Sequence, residues 1–570
     1  MQTSRLTTFV LTTQFLATLA NSQAIVRSFQ QTPVPLTQIE VRGDKVVFAG
    51  SGVDAGSFAY RVYLADRDGD ILKTMGGTLT VQRKLTDLWV SPSGSIVYGV
   101  LENLSSDTLT IFKCDTDLGA VIAQRDLTSN VGPAPRINGR SVTVDSAGNV
   151  YVSGSFQDSN FKWAGYIAKY DGNLNLLTYY TTPLNNTENV FFDKIFANPW
   201  GGLCTLGGRQ TNSQFIGEVR DWSTNLASQG TLSLPLVQTA SSNAMGAVDG
   251  NAVYMANTVI LPQQILTARK SSATGESFLS PVDLSASNCA IGQSGFYVCG
   301  TNNQNSLLTP MFMKMSVTSP FQSLVSRDVP VPGHQGSAHA IVEKSGGCVL
   351  AGTVTTGSAF VSWQDSSGGT IYQDFVLGGV QQPNDIATNP FQNKAYIVSQ
   401  TTGSQSYKGQ LTVFVDEPPI DPNTFVVTKG RVLSGGLSSL TTSDGNSLVV
   451  LPNHLDLQAE FTATTPYTQQ YAINVVVFGT TGVSANVKIE MWNWSSGDWE
   501  TAGIGQQGTL FSQVIAPIGV APDRFVEPGT RLMKGRVTYR FDRLAKGSPS
   551  ASSENMLAKI DMFKVYVTAP

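Results

Sequence analysis

The chain has 570 residues, a formal net charge of −4 and 14% charged residues, against an ordinary value of ~25%. Because it has neither a basic excess nor a basic run, the composition excludes the electrostatic footprint of a nucleic-acid-binding protein or another polyanion binder. Apolar residues make up 41% of the chain and supply material for a hydrophobic core, which excludes wholesale disorder.

The first 24 residues have the pattern of an export signal. Arg5 precedes an uncharged, modestly apolar stretch from Leu6 to Ala20, and Ser22-Gln23-Ala24 supplies a small-x-small cleavage site. We therefore predict a signal peptide over residues 1–24, with a disordered or helical N-terminus as the alternative. No later stretch has the 18 continuous apolar residues of a transmembrane span. The prediction is a secreted or cell-surface protein.

Eight segments share one form, which is a turn, three or four β-forming residues and usually a small residue. Their last residues stand at positions 50, 100, 154, 207, 256, 300, 352 and 399, a mean spacing of about 50. Four strands fit one period, as in Ser141–Asp145, Val150–Gly154, Gly165–Tyr170 and Leu176–Tyr180. This pattern predicts an all-β chain with an eight-bladed β-propeller over residues 25–416. Seven blades is the alternative if the fifth and sixth units merge.

The two ends of the repeat region predict how the ring closes. The eighth unit ends with the strand Leu411–Val415 and lacks a fourth strand, whereas Ile25–Phe29 is a spare strand ahead of the first unit. Pairing these two strands would remove the open sheet edges.

The third unit carries a resemblance to a known family. Its segments SVTVDSAGNVYVSG (Ser141–Gly154) and YIAKYD (Tyr166–Asp171) resemble the bacterial secreted β-propeller repeat (SBBP), whose consensus runs A-V-D-x-x-G-N-V-Y-V-T-G and later A-F-V-A-K-L-D. The match is partial in units one, two and seven. The resemblance implies an extracellular propeller in a bacterial surface or secreted protein and implies no particular reaction.

The remainder of the chain predicts a second module. Three prolines within residues 417–422 indicate a short stiff linker. Beyond it the 50-residue period is lost, although strand-like alternation continues, as in Ala472–Phe478 and Asn486–Trp494. We predict a jelly-roll-like β-sandwich over residues 423–570.

Three tryptophans of this module, Trp492, Trp494 and Trp499, form a candidate glycan platform. The period of two puts Val487, Ile489 and Met491 on the core face of one strand, and Trp492 and Trp494 on its wet face. The turn Ser495–Asp498 is expected to bring Trp499 opposite Trp494. Exposed indole rings suit the apolar face of a sugar. The alternative, which the usual burial of large aromatic residues favours, is that these rings cover the sheet against a loop or the propeller.

A second candidate site follows from aligning the repeats. In units two to eight a polar residue stands near the start of the first strand, which is expected to line the central channel: Asp87, Ser141, Asp193, Asn243, Ser287, His339 and Asp385. Among these, Asp87, Asp193, His339 and Asp385 are the candidate ligand or cation site at the channel mouth. The alternative is that they only hydrate the channel, which is favoured because polar groups at a wet opening cost little free energy.

No other pattern indicates a catalytic residue, a cofactor or a metal. Only three histidines occur, and no Gly-x-Ser-x-Gly motif exists. The acidic segment Asp66–Asp70 is explained as a hairpin turn without calcium. The five cysteines are an odd number, and the sequence leaves open whether Cys289 and Cys299 are bridged across a hairpin.

These observations favour an exported bacterial binding or surface-assembly protein that is not a catalyst. Its expected partner is a protein or a glycan at the cell surface, with no nucleic acid and no cofactor. The alternative is an extracellular carbohydrate-active enzyme, a lyase or hydrolase, with its acids at the channel mouth.

Overall fold

The computed structural model describes residues 24–568, except 68, 104–107, 129–135, 185–186, 212–213, 238–243, 261–262, 282, 304–306, 330, 332–334, 345–346, 356–357, 390–393, 402–407, 417–419, 441–446, 467–469, 471, 509–511, 519–520 and 542–555. Residues 1–23 of the predicted signal peptide, Asn243 and most of the prolines of the predicted linker therefore lie outside the described residues. Within them, secondary structure is almost entirely β-strand. No helix among them has the length and apolar character of a membrane crossing.

The chain divides into two compact units. The first comprises Ser28–Val413, and the second comprises Phe414–Pro570 with the described residues up to Arg27. Each unit is described by itself below.

Most of the first unit consists of antiparallel sheets of four strands that follow one another along the chain. After β1 (Ala24–Thr32), the first three sheets contain β2 (Leu36–Arg42), β3 (Lys45–Asp54), β4 (Ser57–Ala65), β5 (Ile71–Leu79); β6 (Arg83–Val90), β7 (Ile96–Asn103), β8 (Thr108–Asp115), β9 (Ala120–Thr128); and β10 (Arg136–Val144), β11 (Val150–Gln157), β12 (Trp163–Tyr170), β13 (Leu176–Thr181).

The next three sheets repeat this order. They contain β14 (Asn189–Ala197), β15 (Leu203–Gln210), β16 (Phe215–Trp222), β17 (Ser228–Val237); β18 (Met245–Val248), β19 (Val253–Ile260), β20 (Gln263–Lys270), β21 (Gly275–Leu279); and β22 (Leu284–Ile291), β23 (Phe296–Asn302), β24 (Thr309–Met315), β25 (Ser323–Asp328).

The last sheet is continuous over seven strands, in the order β1-β31-β30-β29-β28-β27-β26. Its other strands are β26 (Gly336–Lys344), β27 (Gly347–Val354), β28 (Ser358–Gln364), β29 (Thr370–Asn389), β30 (Lys394–Thr401) and β31 (Gly409–Asp416). The long strand β29 pairs with β28 through its first half and with β30 through its second half. This sheet thus holds two sets of four, and β1 from the chain's start is the outer strand of the last set.

The first strands of successive sets contact one another in a cycle. The contacts run from β2 through β6, β10, β14, β18, β22, β26 and the second half of β29, which returns to β2. The eight repeated sequence segments all lie on second strands, namely β3, β7, β11, β15, β19, β23, β27 and β30.

Burial explains why second strands carry the clearest sequence signal. In β11 every residue but the last is buried, whereas the outer strand β13 has no buried residue. A strand covered on both faces is selected for continuous β-forming, apolar residues. An outer strand is not covered on both faces, so its sequence varies between repeats.

Neighbouring sheets are tied together by a repeated tyrosine and lysine pair. The phenol and the ammonium group both donate to one main-chain carbonyl in a turn of the next sheet. The pairs are Tyr98 and Lys113 to Gly172, Tyr151 and Lys169 to Thr224, and Tyr396 and Lys394 to Arg67. The third pair joins the last set to the first and therefore fastens the ring at its closure.

The second unit contains two five-stranded sheets. One has the order β32-β35-β40-β37-β38 and the other β33-β34-β41-β36-β39. The strands are β32 (Thr424–Lys429), β33 (Arg431–Ser434), β34 (Leu448–Leu451), β35 (Asp456–Thr464), β36 (Ala472–Thr481), β37 (Ala485–Asn493), β38 (Asp498–Gln507), β39 (Ser512–Ile518), β40 (Leu532–Phe541) and β41 (Ala558–Thr568), with 3-10 turns at Leu437–Leu440 and Pro522–Phe525. Inward-facing side chains of both sheets form one hydrophobic core.

All five cysteines are free thiols, so Cys289 and Cys299 are not bridged. In the β22–β23 pairing Cys289 lies opposite Val298, and Cys299 lies opposite Asn288. Because adjacent residues of a strand point to opposite faces, the two thiols face different hydrophobic clusters, each shared with a neighbouring sheet.

Candidate functional site

A β-bulge recurs in the inner strands of the first unit. In seven of these strands, pairing with the second strand skips one residue, and the skipped residues are Thr37, Thr86, Arg140, Asp193, Ser287, His339 and Asn384. A bulge leaves its extra residue outside the ladder and redirects its side chain. The polar residues selected by aligning the sequence lie at or directly after these bulges.

Aligning the repeats by sequence selected the bulge residue in some units and the residue directly after the bulge in others. Asp193, Ser287 and His339 occupy the bulge itself, whereas Asp87, Ser141 and Asp385 follow it. Since neighbouring strand residues alternate in direction, the six of these residues that the structure describes do not form one equivalent ring. Asn243 lies outside the described residues.

Three of the predicted carboxylates bind the main chain of the next sheet. Asp87 Oδ2 accepts from the N–H of Val142 at 3.0 Å, and Asp193 Oδ2 accepts from the N–H of Ala244 at 3.0 Å. Asp385 Oδ2 accepts from the N–H of Ile39 at 3.1 Å, across the closure of the ring. These carboxylates therefore join adjacent inner strands, a role that neither the ligand-site nor the hydration hypothesis predicts.

The bulge side chains complement these contacts by donating to carbonyl groups of the next sheet. Thr86 Oγ1 donates to the carbonyl of Gly139 at 2.8 Å, and Asn384 Nδ2 donates to that of Leu36 at 2.6 Å. Carboxylate acceptors and bulge donors together satisfy main-chain groups that the interrupted ladders leave unpaired.

Asp87 is also paired with a lysine that the sequence analysis did not identify. Lys194 follows the bulge of β14, and its Nζ reaches Asp87 Oδ1 on β6 at 2.9 Å. Ser141 Oγ donates to the other oxygen of Asp87 at 2.6 Å. Burial lowers the pKa of Lys194, but the carboxylates of Asp87 and Asp385 outweigh it and raise the pKa. Lys194 thus neutralises carboxylates of separate sheets.

Burial raises the pKa of two carboxyl groups in this set. Loss of hydration raises the pKa of Asp193 to about 7, against the smaller opposing effects of the Ala244 N–H, Arg140 and Lys194. The pKa of Asp385 is raised to about 7 for the same main reason. Raised carboxyl pKa values are typical of general acids, but here burial between sheets accounts for them.

We expect Asp193→Asn to stabilise the protein progressively, relative to the wild type, as pH rises from 5 to 8. The folded-state pKa near 7 lies above the unfolded value of roughly 3.9, so the folded chain binds more protons and loses stability as pH rises through this window. Asparagine keeps the acceptor oxygen and cannot ionise. Thermal unfolding at several pH values should show a midpoint difference that widens by about 2 °C or more. A pH-independent difference would contradict the assignment.

His339 does not join the carboxylates. Its Nε2 lies 2.7 Å from Thr353 Oγ1 on the second strand of its own sheet, and burial lowers its pKa. Within the described part of the chain, no three His, Cys, Asp or Glu side chains converge as a metal site. His339 thus makes a contact of its own, whereas Asp87, Asp193 and Asp385 bind separate main-chain groups and share the charge of Lys194.

The acidic turn near residue 66 has a local explanation. Asp66 Oδ1 accepts from the N–H of Asp70 at 3.0 Å, and Asp171 and Asp365 make the same contact in the corresponding turns of other sheets. These are the hairpin turns that the sequence predicted.

The three tryptophans of the predicted platform are not arranged as the sequence predicted. Trp499 lies opposite Trp492 and not opposite Trp494. The rings of Trp492 and Trp499 meet edge to face, with centroids 5.4 Å apart. Lys534 Nζ lies over both rings, and the Arg536 guanidinium lies 4.4 Å from the centroid of Trp499. The two rings are half-buried and nearly perpendicular, so they do not lie flat beside one another as the glycan-platform hypothesis expects.

Trp494 is separate from this pair. It follows the last residue of β37, and its main-chain N–H donates to the carbonyl of Arg524 at 2.8 Å. Its indole N–H is buried and has no hydrogen-bond partner among the described residues. The strand ends one residue before Trp494, which is why the period of two does not extend to it.

Residues 127–162 match the SBBP family model, described as a beta-propeller repeat. This segment includes β10 and β11 of the third set, where the sequence resemblance is best. The repeat resemblance is thereby confirmed, and with the cyclic arrangement of sheets it identifies the first unit as a β-propeller. No curated protein sequence matches the chain.

Solved structures give likenesses at low identity. The Dos1 propeller is 10% identical, with 70% of this chain and 96% of that chain covered and a TM-score of 0.44. Chaetomium thermophilum Sqt1, solved bound to the N-terminus of ribosomal protein L10, is 11% identical over 70% of this chain and 98% of that one, with a TM-score of 0.41. The polysaccharide lyase Uly1 is 10% identical over 67% and 90%, with a TM-score of 0.38.

Proposed function

We propose that this chain is an exported, non-catalytic binding or surface-assembly protein. It presents an eight-bladed β-propeller, closed by its own N-terminal strand, and carries a jelly-roll-like β-sandwich after a short linker. Its partner is a protein or a glycan outside the cytoplasm, and the bacterial cell surface is its proposed location.

One observation carries the non-catalytic assignment. Two acids of the inner strands, Asp87 and Asp385, have both carboxylate oxygens engaged by hydrogen bonds within the fold. Asp87 accepts from Ser141, Val142 and Lys194, and Asp385 accepts main-chain N–H groups at both oxygens, from Ile39 and Ile386. A general acid or base needs a free oxygen within hydrogen-bond reach of its substrate. Carboxylates saturated by the fold are suited to rigidity instead.

A turnover assay distinguishes this proposal from a carbohydrate-active enzyme. The full chain is incubated with a panel of neutral and acidic polysaccharides, and reducing ends and unsaturated products are measured. We expect no turnover, together with retention of the chain on a subset of the materials. Turnover that disappears in Asp193→Asn or Asp385→Asn would overturn the proposal and assign the enzymatic alternative.

Export is tested by N-terminal sequencing of the protein recovered from the culture medium and from the surface fraction. We expect the mature chain to begin at Ile25, which would leave all but one residue of β1 in place. A chain recovered only from the cytoplasm, with residues 1–24 attached, would contradict the proposed location.

A further inference from the structure

A cavity opens on the outer face of the sheet β32-β35-β40-β37-β38, away from the hydrophobic core. Its volume is about 350 Å³, within the range of roughly 300–1,000 Å³ for small-ligand sites. The lining includes Gln458, Asn486, Lys488, Ile504, Thr538 and Arg540. These residues come from β35, β37, β38 and β40, so the cavity spans four neighbouring strands near one end of the sheet, where β35 and β37 begin and β38 and β40 end.

The outer face around this cavity is cationic. Alternation along β35, β37 and β40 places Lys488, Lys534, Arg536 and Arg540 on it, against Asp456, Glu460 and Glu490. Lys429 joins them because a pairing shift in β32 sets it opposite Gln458. Four of the five cations are paired with these acids, at N–O distances of 2.6 to 3.6 Å. Arg540 is exposed and has no ion pair among the described residues. Its cross-strand neighbour Asp456 is bound by Lys429 instead.

The cavity is also lined by Val487 and by Asp456, whose carboxylate is paired with Lys429 at 2.6 Å. The remaining lining groups suit a sugar. The Gln458 and Asn486 amides and the Thr538 hydroxyl can each donate and accept hydrogen bonds, as neighbouring sugar hydroxyls require. Ile504 is 70% exposed at the same cavity and offers an apolar contact for the C–H face of a ring. An unpaired guanidinium beside them matches the planar, two-oxygen geometry of a carboxylate.

We propose that this cavity binds a uronic-acid-containing glycan, with Arg540 holding the carboxylate of one sugar residue. The position of the cavity argues against an acidic peptide. The central strands β35, β40 and β37 are paired on both sides, so no main-chain groups are free to bind a peptide as an added strand. The ligand must be recognised by side chains, and the side chains present match an acidic sugar.

This site deepens the proposed binding function by naming a ligand class, and it rests on that function. Calorimetric titration of the full chain with trigalacturonate, and with the same oligosaccharide fully methyl-esterified, tests it. We expect the acid to bind and the ester to bind at least about tenfold more weakly, because esterification removes the charge that Arg540 pairs with. Added salt should weaken binding of the acid.

Two variants test whether trigalacturonate binds at this cavity. Arg540→Gln should weaken trigalacturonate binding by about tenfold or more. Arg431→Gln removes an equally exposed arginine from the other sheet, on β33, and should leave binding unchanged. Thermal unfolding of both variants confirms that they are folded. Equal binding of acid and ester, an unaffected Arg540→Gln variant, or no binding of trigalacturonate would overturn the site.

Equal binding of hexaglutamate would also overturn it, since it would identify a surface for any polyanion. The proposed function fails in a different way. Cleavage of trigalacturonate by the wild-type chain would refute a non-catalytic role and leave the Arg540 contact standing, whereas absent binding would refute the site alone.

Discussion

We expect Gly300→Ala to be among the most destabilising single methyl additions to a second strand of the propeller. A Cβ atom at Gly300 would lie 1.7 Å from the main-chain carbonyl oxygen of Ser285 on the neighbouring inner strand. A carbonyl within a sheet cannot rotate away as a side chain can, so the ladder itself must shift. The free energy of unfolding is expected to fall by roughly 3 kcal/mol. Tryptophan fluorescence during thermal unfolding, with soluble yield, measures it.

Gly250→Ala is the matched control. No atom lies within 4 Å of a Cβ at Gly250, and its φ angle is not in the left-handed region. The same methyl addition there should change stability by less than about 0.5 kcal/mol. Equal unfolding midpoints for the two variants would show that the close approach at Gly300 does not constrain the strand.

The same contact explains a feature of the sequence repeat. Gly50, Gly154, Gly207, Gly300 and Gly352 each face the carbonyl oxygen two residues before a bulge, where an added Cβ would lie 1.7 to 2.1 Å away. The bulge brings the inner strand's main chain against the second strand at this point. The small residue that ends most repeated segments is therefore a consequence of the bulge.

The second large effect is expected for Asp87→Ala, which should lower the free energy of unfolding by about 2–4 kcal/mol. The substitution leaves the Lys194 ammonium, only 26% exposed, without its partner at 2.9 Å. It also removes the acceptor for Ser141 and Val142. Chemical denaturation followed by a probe in the propeller measures the loss.

A double-mutant cycle separates the charge from the hydrogen bonds. Lys194→Met alone should cost less, because Asp87 keeps the Ser141 hydroxyl and the Val142 N–H. In the Lys194→Met background, Asp87→Ala should cost at least about 1 kcal/mol less than in the wild type. Additive effects would mean that the ion pair across the inner strands contributes nothing to stability.

The candidate channel site shows why sequence alignment located residues but not their role. The spacing of the repeats alone predicted that Asp87, Asp193 and Asp385 lie on inner strands, where the structure has them. It did not detect the bulges, because an extra residue in one strand is visible only against its pairing partner. It also missed Lys194, which is adjacent to Asp193 in the chain but neutralises Asp87 from a different sheet.

The tryptophans of the second unit also show which features the sequence could predict and which it could not. The period of two correctly predicted Val487, Ile489 and Met491 as core. It could not predict that Trp492 and not Trp494 lies opposite Trp499, because that register depends on where β37 ends and on a pairing shift between Ile489 and Glu490. The cations that cover the ring pair come from β40, more than 30 residues further along the chain.

The sequence by itself determined the repeat, because second strands are buried on both faces and must be built from β-forming residues at a regular interval. It also determined the all-β class and the β-propeller. Tertiary structure alone decided what the polar residues do, since a hydrogen bond between sheets depends on which strands become neighbours. Arg540, which has no ion pair in the described part of the chain, is another such result: although the chain has a net charge of −4, three strands bring a local excess of cations together on one face.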